Sequence, residues 1–301
     1  MPKVFVVILN WNNWPDTSEC LESLKNNDYP NYQVVIVDNG STEKFSIFNF
    51  QFSIKIIYNK ENLGFAGGNN IGIKYALDNG ADYVLLLNND TIVSNNFLTK
   101  LIEAGASDKT FGLLSPKIYF YPDRNEIWFA GGKVNWLYNK GTMRGWGKID
   151  KGQYDQPKIQ ETDYLTGCCV LIKREAIEKI GLMPEEYFLY YEDTAWSLAA
   201  KKAGWKRVFV PEAKIWHKVS KSSAPGSRPY IYYHIRNGLL LSKRYAPWYI
   251  KPFVQLDVFW RIVKQIIKLI FFPQKRTWAR AILLGIKDFY LNRFNRYENW
   301  H

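Results

Sequence analysis

At two places in this chain carboxylates stand where apolar or aromatic runs end, and any chemistry would start with them. Tyr83 to Leu87 is an unbroken apolar and aromatic run, suited to a strand buried on both faces, and it runs straight into Asn88, Asn89 and Asp90. A carboxylate among neutral oxygen donors suits a hard divalent cation, which takes oxygen ligands and commonly keeps substrate phosphates in its shell. Asn88 or Asp90 as the cap of a following helix accounts for the same residues. Further on, Glu192 and Asp193 follow the aromatic "YFLYY" at the head of a helix expected from about Glu192 to Ala203. Acidic residues in a first helical turn are favoured by the helix dipole, and two carboxylates beside aromatic rings also offer a general base.

Three weaker signals accompany them. Asp38 ends the strand-like "QVVIVD" and opens "NGST", which fits a plain turn as well as a ligand contact. "NLGFAGGNN" sets Gly64, Gly67 and Gly68 among Asn62, Asn69 and Asn70 at an expected loop-to-helix junction. Glycines there let a backbone approach phosphate, and a structural glycine turn has the same composition. The run matches neither the dinucleotide fingerprint nor the Walker loop. His217 ends a strand-like stretch and reads as structural or as a ligand. Cys20, Cys168 and Cys169 form no CxxC pair and are odd in number, so neither a disulfide framework nor a zinc site is expected.

The elements that must position these residues alternate. "VFVVIL", "QVVIVD", "IKIIYN" and "YVLLLNND" are strands, interleaved with helical "ECLESLKNN" and the second half of "ENLGFAGGNNIGIKYAL". That order predicts βαβ units and a mostly parallel, Rossmann-like sheet with helices on both faces. Ligands in such sheets bind beyond the carboxyl ends of the strands, where Asn10–Trp11, Asp38 and Asn88–Asp90 fall. Residues 111–165 read as irregular β structure, followed by a strand and helix in "TGCCVLIKREAIEKIG". The segment 218–229 reads as a loop and marks an expected boundary between a domain of residues 1–224 and a helical region of residues 225–301.

Charge divides the chain in the same way. Residues 1–200 carry a net −5 and residues 201–301 a net +17. Asp257, Arg261, Lys264 and Lys268 stack on one narrow helical face of an otherwise apolar segment too short in uncharged residues to span a bilayer. Its wide apolar face either packs on the protein or lies in an anionic membrane surface. Nucleic-acid binding is the competing use of a basic tail, but no motif for it is present, and no nucleic-acid partner is expected. A start of Met1-Pro2-Lys3 running into "VFVVIL" shows no signal peptide, so the chain is expected in the cytoplasm, peripheral on the inner face of the cell membrane.

Taken in order, "VVILNWNN", "VIVDNGSTE", "NLGFAGGNNIGIKYAL", "YVLLLNNDTIV", "TGCCVLIKREAIEKIG", "FLYYEDTAWSLAAKKAGW" and "VPEAKIWH" resemble glycosyltransferase family 2. These are inverting enzymes of the GT-A fold, and the likeness is to the bacterial rhamnosyltransferase-like branch. It spans about residues 3–220, and "YYHIRNGLLLSK" resembles the stretch that follows the catalytic domain in that branch.

The resemblance implies an α/β GT-A domain with a basic amphipathic helical extension. Asp38 would bind the donor's pyrimidine base beside the backbone of Asn10 and Trp11. Asn62, Gly64, Gly67 and Asn69 would line the nucleotide-sugar. Asn89 and Asp90 would occupy the D-x-D position, with Asp90 and His217 holding Mg²⁺ or Mn²⁺ at the diphosphate. Asp193 would be the catalytic base. The implied reaction moves a sugar, dTDP-L-rhamnose or a UDP-sugar being the donor, to a lipid-linked or cell-envelope glycan. The alternative is a non-catalytic basic protein that binds nucleic acid or carbohydrate. The chain departs from the family pattern at Asn88, which replaces the first acidic residue, and at Ala195 and Ala199, where the family helix carries an acidic residue and an arginine.

Overall fold

The computed structural model describes residues 1–43, 54–123, 125–219 and 226–297. Its first half runs β1 (Val4–Asn10), α1 (Trp14–Lys25), β2 (Tyr32–Asp38), β3 (Ile54–Tyr58), α2 (Gly64–Asp78), β4 (Tyr83–Asn88), β5 (Thr91–Val93) and α3 (Phe97–Ser107). The β-rich middle holds β6 (Phe111–Phe120), β7 (Glu126–Phe129), β8 (Gly132–Asn135), β9 (Lys140–Met143), β10 (Lys148–Ile149), β11 (Gln160–Glu161) and β12 (Cys169–Lys173). It is followed by α4 (Arg174–Ile180), α5 (Glu192–Lys202), β13 (Lys206–His217), α6 (Arg228–Tyr245), α7 (Lys251–Phe271) and α8 (Arg276–Tyr290).

The central sheet is mostly parallel at its core. Strands β3, β2, β1 and β4 lie side by side and parallel, in register Asn10 to Asp38 and Leu9 to Asn88. Strand β12 follows antiparallel on β4, then β6, along which β13 runs parallel. Val4 to Ile8 and Tyr83 to Leu87 are buried, as their unbroken apolar runs require of strands covered on both faces. Side chains alternate along β1, so the covering helices can be assigned to faces. Gly68 and Gly72 of α2 lie against Leu9 and Val7, whereas Thr17 of α1 bonds Asn10 on the opposite face.

The glycine-rich run departs from expectation. It is not a loop leading into a helix: α2 begins at Gly64 and takes in every glycine of "GFAGG". The reason is close approach of helix to sheet. A Cβ on Gly72 would stand 2.3 Å from Val7 Cγ1, and one on Gly68 2.4 Å from Leu9 Cδ1. Glycine's poor helix propensity is overridden because only hydrogen fits between α2 and β1. Gly64 itself has φ +76° and would place a Cβ 2.4 Å from the Phe188 carbonyl oxygen.

The expected boundary at residues 224 and 225 lies outside the described residues. On either side the layers share a core, in which Leu239, Leu240 and Leu241 of α6 pack with Tyr187, with Ala195 and Leu198 of α5 and with Val254 and Val258 of α7. Helix α7 turns Val254, Val258 and Gln265 inward. Asp257 and Arg261 pair on its half-buried flank. Its opposite face, including Phe253, Leu256, Trp260, Ile267, Ile270 and Phe271, is exposed. Of the wide apolar face expected from the sequence, Val254 and Val258 pack on the domain and most of the rest is exposed. Among the described residues no helix is long and apolar enough to cross a membrane.

Candidate active site

The parallel register brings the ends of β1, β2 and β4 to one edge, and the side chains there form a single network. Asn10 Nδ2 donates to Asp38 Oδ1 at 3.2 Å and to Ser41 Oγ at 3.2 Å. The Ser41 hydroxyl closes the triangle on Asp38 Oδ1. Asn10 Oδ1 accepts from Thr17 Oγ1 at 2.9 Å and from Asn89 Nδ2 at 3.3 Å, and the Asn89 amide also reaches Asn13 O and Thr17 Oγ1. Asn10 and Asn89 are thus joined into the scaffold that fixes Asp38, while Trp11 is half exposed beside them.

A second hub, not anticipated as such, is Asn39. Its Nδ2 donates to Asn62 Oδ1 at 3.0 Å and to Gly64 O at 3.1 Å, and its Oδ1 accepts from Asn59 Nδ2 and Leu63 N, both at 3.1 Å. One buried amide therefore ties the tip of β2 to the β3–α2 junction and holds Asn62 and Gly64 next to Asp38. Gly67 and Asn69 lie within α2. Asn69 is buried, with its amide on the Phe65 carbonyl.

Asp90 and His217 meet across strands. β5 pairs with the end of β13, His217 opposite Thr91, which sets His217 Nε2 3.1 Å from Asp90 Oδ1. Both are buried, and Trp128 packs nearly perpendicular to the imidazole with ring centres 4.6 Å apart. His217 Nδ1 is buried without a hydrogen-bond partner among the described residues. Among those residues no third His, Cys, Asp or Glu completes a closed cage. One carboxylate and one imidazole would suit Mg²⁺ or Mn²⁺, with substrate oxygens and water left to complete its shell.

Asp193 reaches the same edge from the other side. Its Oδ2 accepts from Gly167 N at 2.9 Å, and its Oδ1 from Thr194 N at 2.5 Å and Thr194 Oγ1 at 3.1 Å. Gly167 adjoins Cys168, whose carbonyl accepts from Asn88 N at 2.8 Å, so the base candidate is two short links from the β4 tip. The Cys168 thiol records this convergence. Burial pushes it well up, and the fields of Asp90 and, less strongly, Asp193 push it further.

The adjacent carboxyls differ. Glu192 is buried with Oε2 unbonded among the described residues, and burial followed by the charge of Asp193 pushes its acid well above the ordinary value. Asp193 is half-buried; desolvation raises it too, opposed by the Gly167 and Thr194 donors. Of the pair, Asp193 is the one equipped to hold the negative charge. Ala195, where the family pattern has an acid, lies in the apolar seam between α5 and α6.

The fold is an α/β domain of GT-A type. Comparison with known proteins agrees. Residues 5–181 match the model of glycosyl transferase family 2. The chain is 24% identical over 266 residues to the N-acetylglucosaminyl-diphospho-decaprenol L-rhamnosyltransferase of Mycobacterium tuberculosis, covering 82% of this chain and 86% of that one. It is 26% identical over 259 residues to the dTDP-rhamnosyl transferase RfbF of Shigella flexneri, covering 81% of each. Among solved structures, GalNAc-T7 with UDP, GalNAc and Mn²⁺ superposes with a TM-score of 0.65 at 16% identity, over 97% of this chain and 57% of that one. The mannosyltransferase PcManGT of Pyrobaculum calidifontis, with GDP-Man and Mn²⁺, gives 0.58 at 16% identity over 97% and 88%. The chain belongs to glycosyl transferase family 2 and is a glycosyltransferase.

Proposed function

We propose that the chain transfers a sugar, dTDP-L-rhamnose being the favoured donor, with inversion onto a hydroxyl of a lipid-linked or cell-envelope glycan. The observation that carries this reading is the convergence of Asp193 with the Asp90–His217 pair on the β4 tip through Gly167, Cys168 and Asn88. Asp38, oriented by Asn10 and Ser41, offers its carboxylate to a pyrimidine base. Asp193 takes the proton of the acceptor hydroxyl as that oxygen attacks the anomeric carbon from the side opposite the leaving group. Asp90 and His217 would hold Mg²⁺ or Mn²⁺, which when bound supplies Lewis-acid neutralisation of the charge on the departing diphosphate. With that charge met, a single carboxylate serves, unlike hydrolases that need both an acid and a base.

The donor is favoured because both curated relatives named above are rhamnosyltransferases. The lipid-linked acceptor draws support from the diphospho-decaprenol substrate in the name of the mycobacterial relative and from the outward apolar face of α7 beside a +17 region, which suits an anionic bilayer. A thermal-shift series with dTDP-L-rhamnose and UDP-sugars, with and without Mn²⁺, tests the donor. Stabilisation by dTDP-L-rhamnose that grows with Mn²⁺ is the expected result, because a ligand of the folded state raises stability with its affinity. No shift with any nucleotide-sugar, in either condition, would sink the reading.

A further inference from the structure

The segment that leads into Asp193 has a backbone that bulky residues avoid. Phe188, Tyr190 and Tyr191 have φ of +61°, +68° and +72°, in the left-handed region where Cβ crowds the chain. Tyr191 is also the residue from which α5 departs, and its side chain forms no cap bond. A helix normally takes its start from an extended Ser, Thr, Asp or Asn that satisfies its first N–H groups. Here the position of the first turn, and of Asp193 within it, is set from outside.

The outside agent is α6. Asn237 Nδ2 lies 2.8, 2.8 and 2.9 Å from the carbonyl oxygens of Tyr187, Leu189 and Tyr190 and donates to them. Arg236 Nη2 donates to the carbonyls of Glu186 at 3.2 Å and Tyr187 at 3.0 Å, and its Nε donates to Asn237 Oδ1 at 2.9 Å. Both side chains are fully or almost fully buried. The two residues thus grip four of the five carbonyls between Glu186 and Tyr190, on either side of the strained turn. The Phe188 carbonyl, left over, accepts from Phe65 N of α2 at 2.8 Å.

We propose that Arg236 and Asn237 are positioning residues for sugar transfer, holding residues 186–190 in the left-handed turn that fixes where α5 begins and hence where the Asp193 carboxylate stands. This rests on the reading of Asp193 as the base. Neither residue is placed against the donor, whose proposed contacts lie on the ends of β1, β2 and β4 and at the start of α2; the Phe188 carbonyl that meets that start is the one the pair does not hold, so the pair is expected to act on turnover far more than on donor binding.

The test uses the full chain carrying Asn237→Asp, which keeps the side chain's size and replaces its donors with acceptors, and Arg236→Lys. Turnover of dTDP-L-rhamnose with a prenyl-diphosphate-linked N-acetylglucosamine is measured per folded molecule, and affinity for dTDP by calorimetry. Asn237→Asp is expected to lower kcat roughly tenfold or more, since small misplacements of reacting groups are costly, with dTDP affinity within about twofold of wild type. Arg236→Lys should fall between. Should Asn237→Asp not fold, Asn237→Ser, which reaches fewer carbonyls, carries the same expectation. Lower yield or melting temperature with unchanged kcat per folded molecule would overturn the proposal, as would parallel loss of kcat and dTDP affinity. Asp193→Ala run alongside separates the two ideas. If it retains wild-type transfer, the base assignment fails and the proposal with it. If it is inactive while Asn237→Asp turns over normally, only the positioning role fails.

Discussion

At the scale of single residues, two neighbouring carboxyls have different company. Asp193 has three donors and partial access; Glu192 has burial and a charged neighbour. On the proposed assignment of Asp193 as the base, its raised carboxyl predicts the pH dependence of transfer. A base is active only when deprotonated, so kcat should fall as pH drops through a value above the ordinary 3.8 of an aspartate, and a pH–rate profile locates that limb. Asp193→Ala should cost about 10²–10⁴-fold in kcat with dTDP affinity near wild type, read by turnover and calorimetry. Glu192 has a different consequence, in stability. Its folded-state acid is raised above the unfolded 4.5, so its contribution is fully present below that pH and is lost as pH rises through the raised value. Glu192→Gln should therefore stabilise the protein by on the order of 1 kcal/mol near pH 8 and very little near pH 4, as thermal unfolding across that range would show.

At the scale of elements, the seat of α2 on β1 is a close contact beneath the site. Gly72 bears none of the site's side chains, yet a Cβ there meets Val7 and Val37. Gly72→Ala is expected to destabilise by about 1–3 kcal/mol with the affinity of folded protein for dTDP retained, measured by chemical unfolding and calorimetry. This contact also explains what could be read from the chain. β1, β2 and β4 were legible because strands covered on both faces must be apolar throughout, and their ends therefore announce Asp38 and Asp90. The start of α2 was not, since glycine argues against helix locally and the reason for it lies in Val7 and Leu9, some sixty residues earlier. Asn39 likewise reads as a turn residue until Asn59, Asn62 and Leu63 arrive around it. The partner of Asp193, Gly167, stands 26 residues away within "TGCC", where nothing local marks its N–H as a donor to a carboxylate.

At the scale of the whole molecule, α6 joins two surfaces of different build. Its inner side shares a core with α5, and its companion α7 shows the outside an apolar sector in which Trp260 is 60% and Phe271 69% exposed, with Trp248 nearby at 82%. Lys264 stands exposed on the flank of that sector, and Lys275, Arg276 and Arg280 are exposed just beyond its end. Apolar side chains entering a bilayer contribute about 1.5–3 kcal/mol each when fully buried, and each Lys or Arg near an anionic surface about 1 kcal/mol. Removing α7 and α8 would also remove Val254, Val258 and Phe289 from the shared core, so deletion cannot separate docking from folding. Substitution of outward residues can. Trp260→Glu with Ile267→Glu should reduce binding to vesicles containing phosphatidylserine by roughly 100-fold or more, with little change in melting temperature because neither side chain packs inward. Binding of the parent protein should weaken as salt rises from about 0.05 to 0.5 M, since screening shortens the reach of the basic flank while leaving the apolar contact intact. Vesicle binding that survives both glutamates would place the contact elsewhere. A parent protein that ignores vesicles but becomes monomeric from a dimer on the same substitutions would assign the apolar sector to a second copy of the chain.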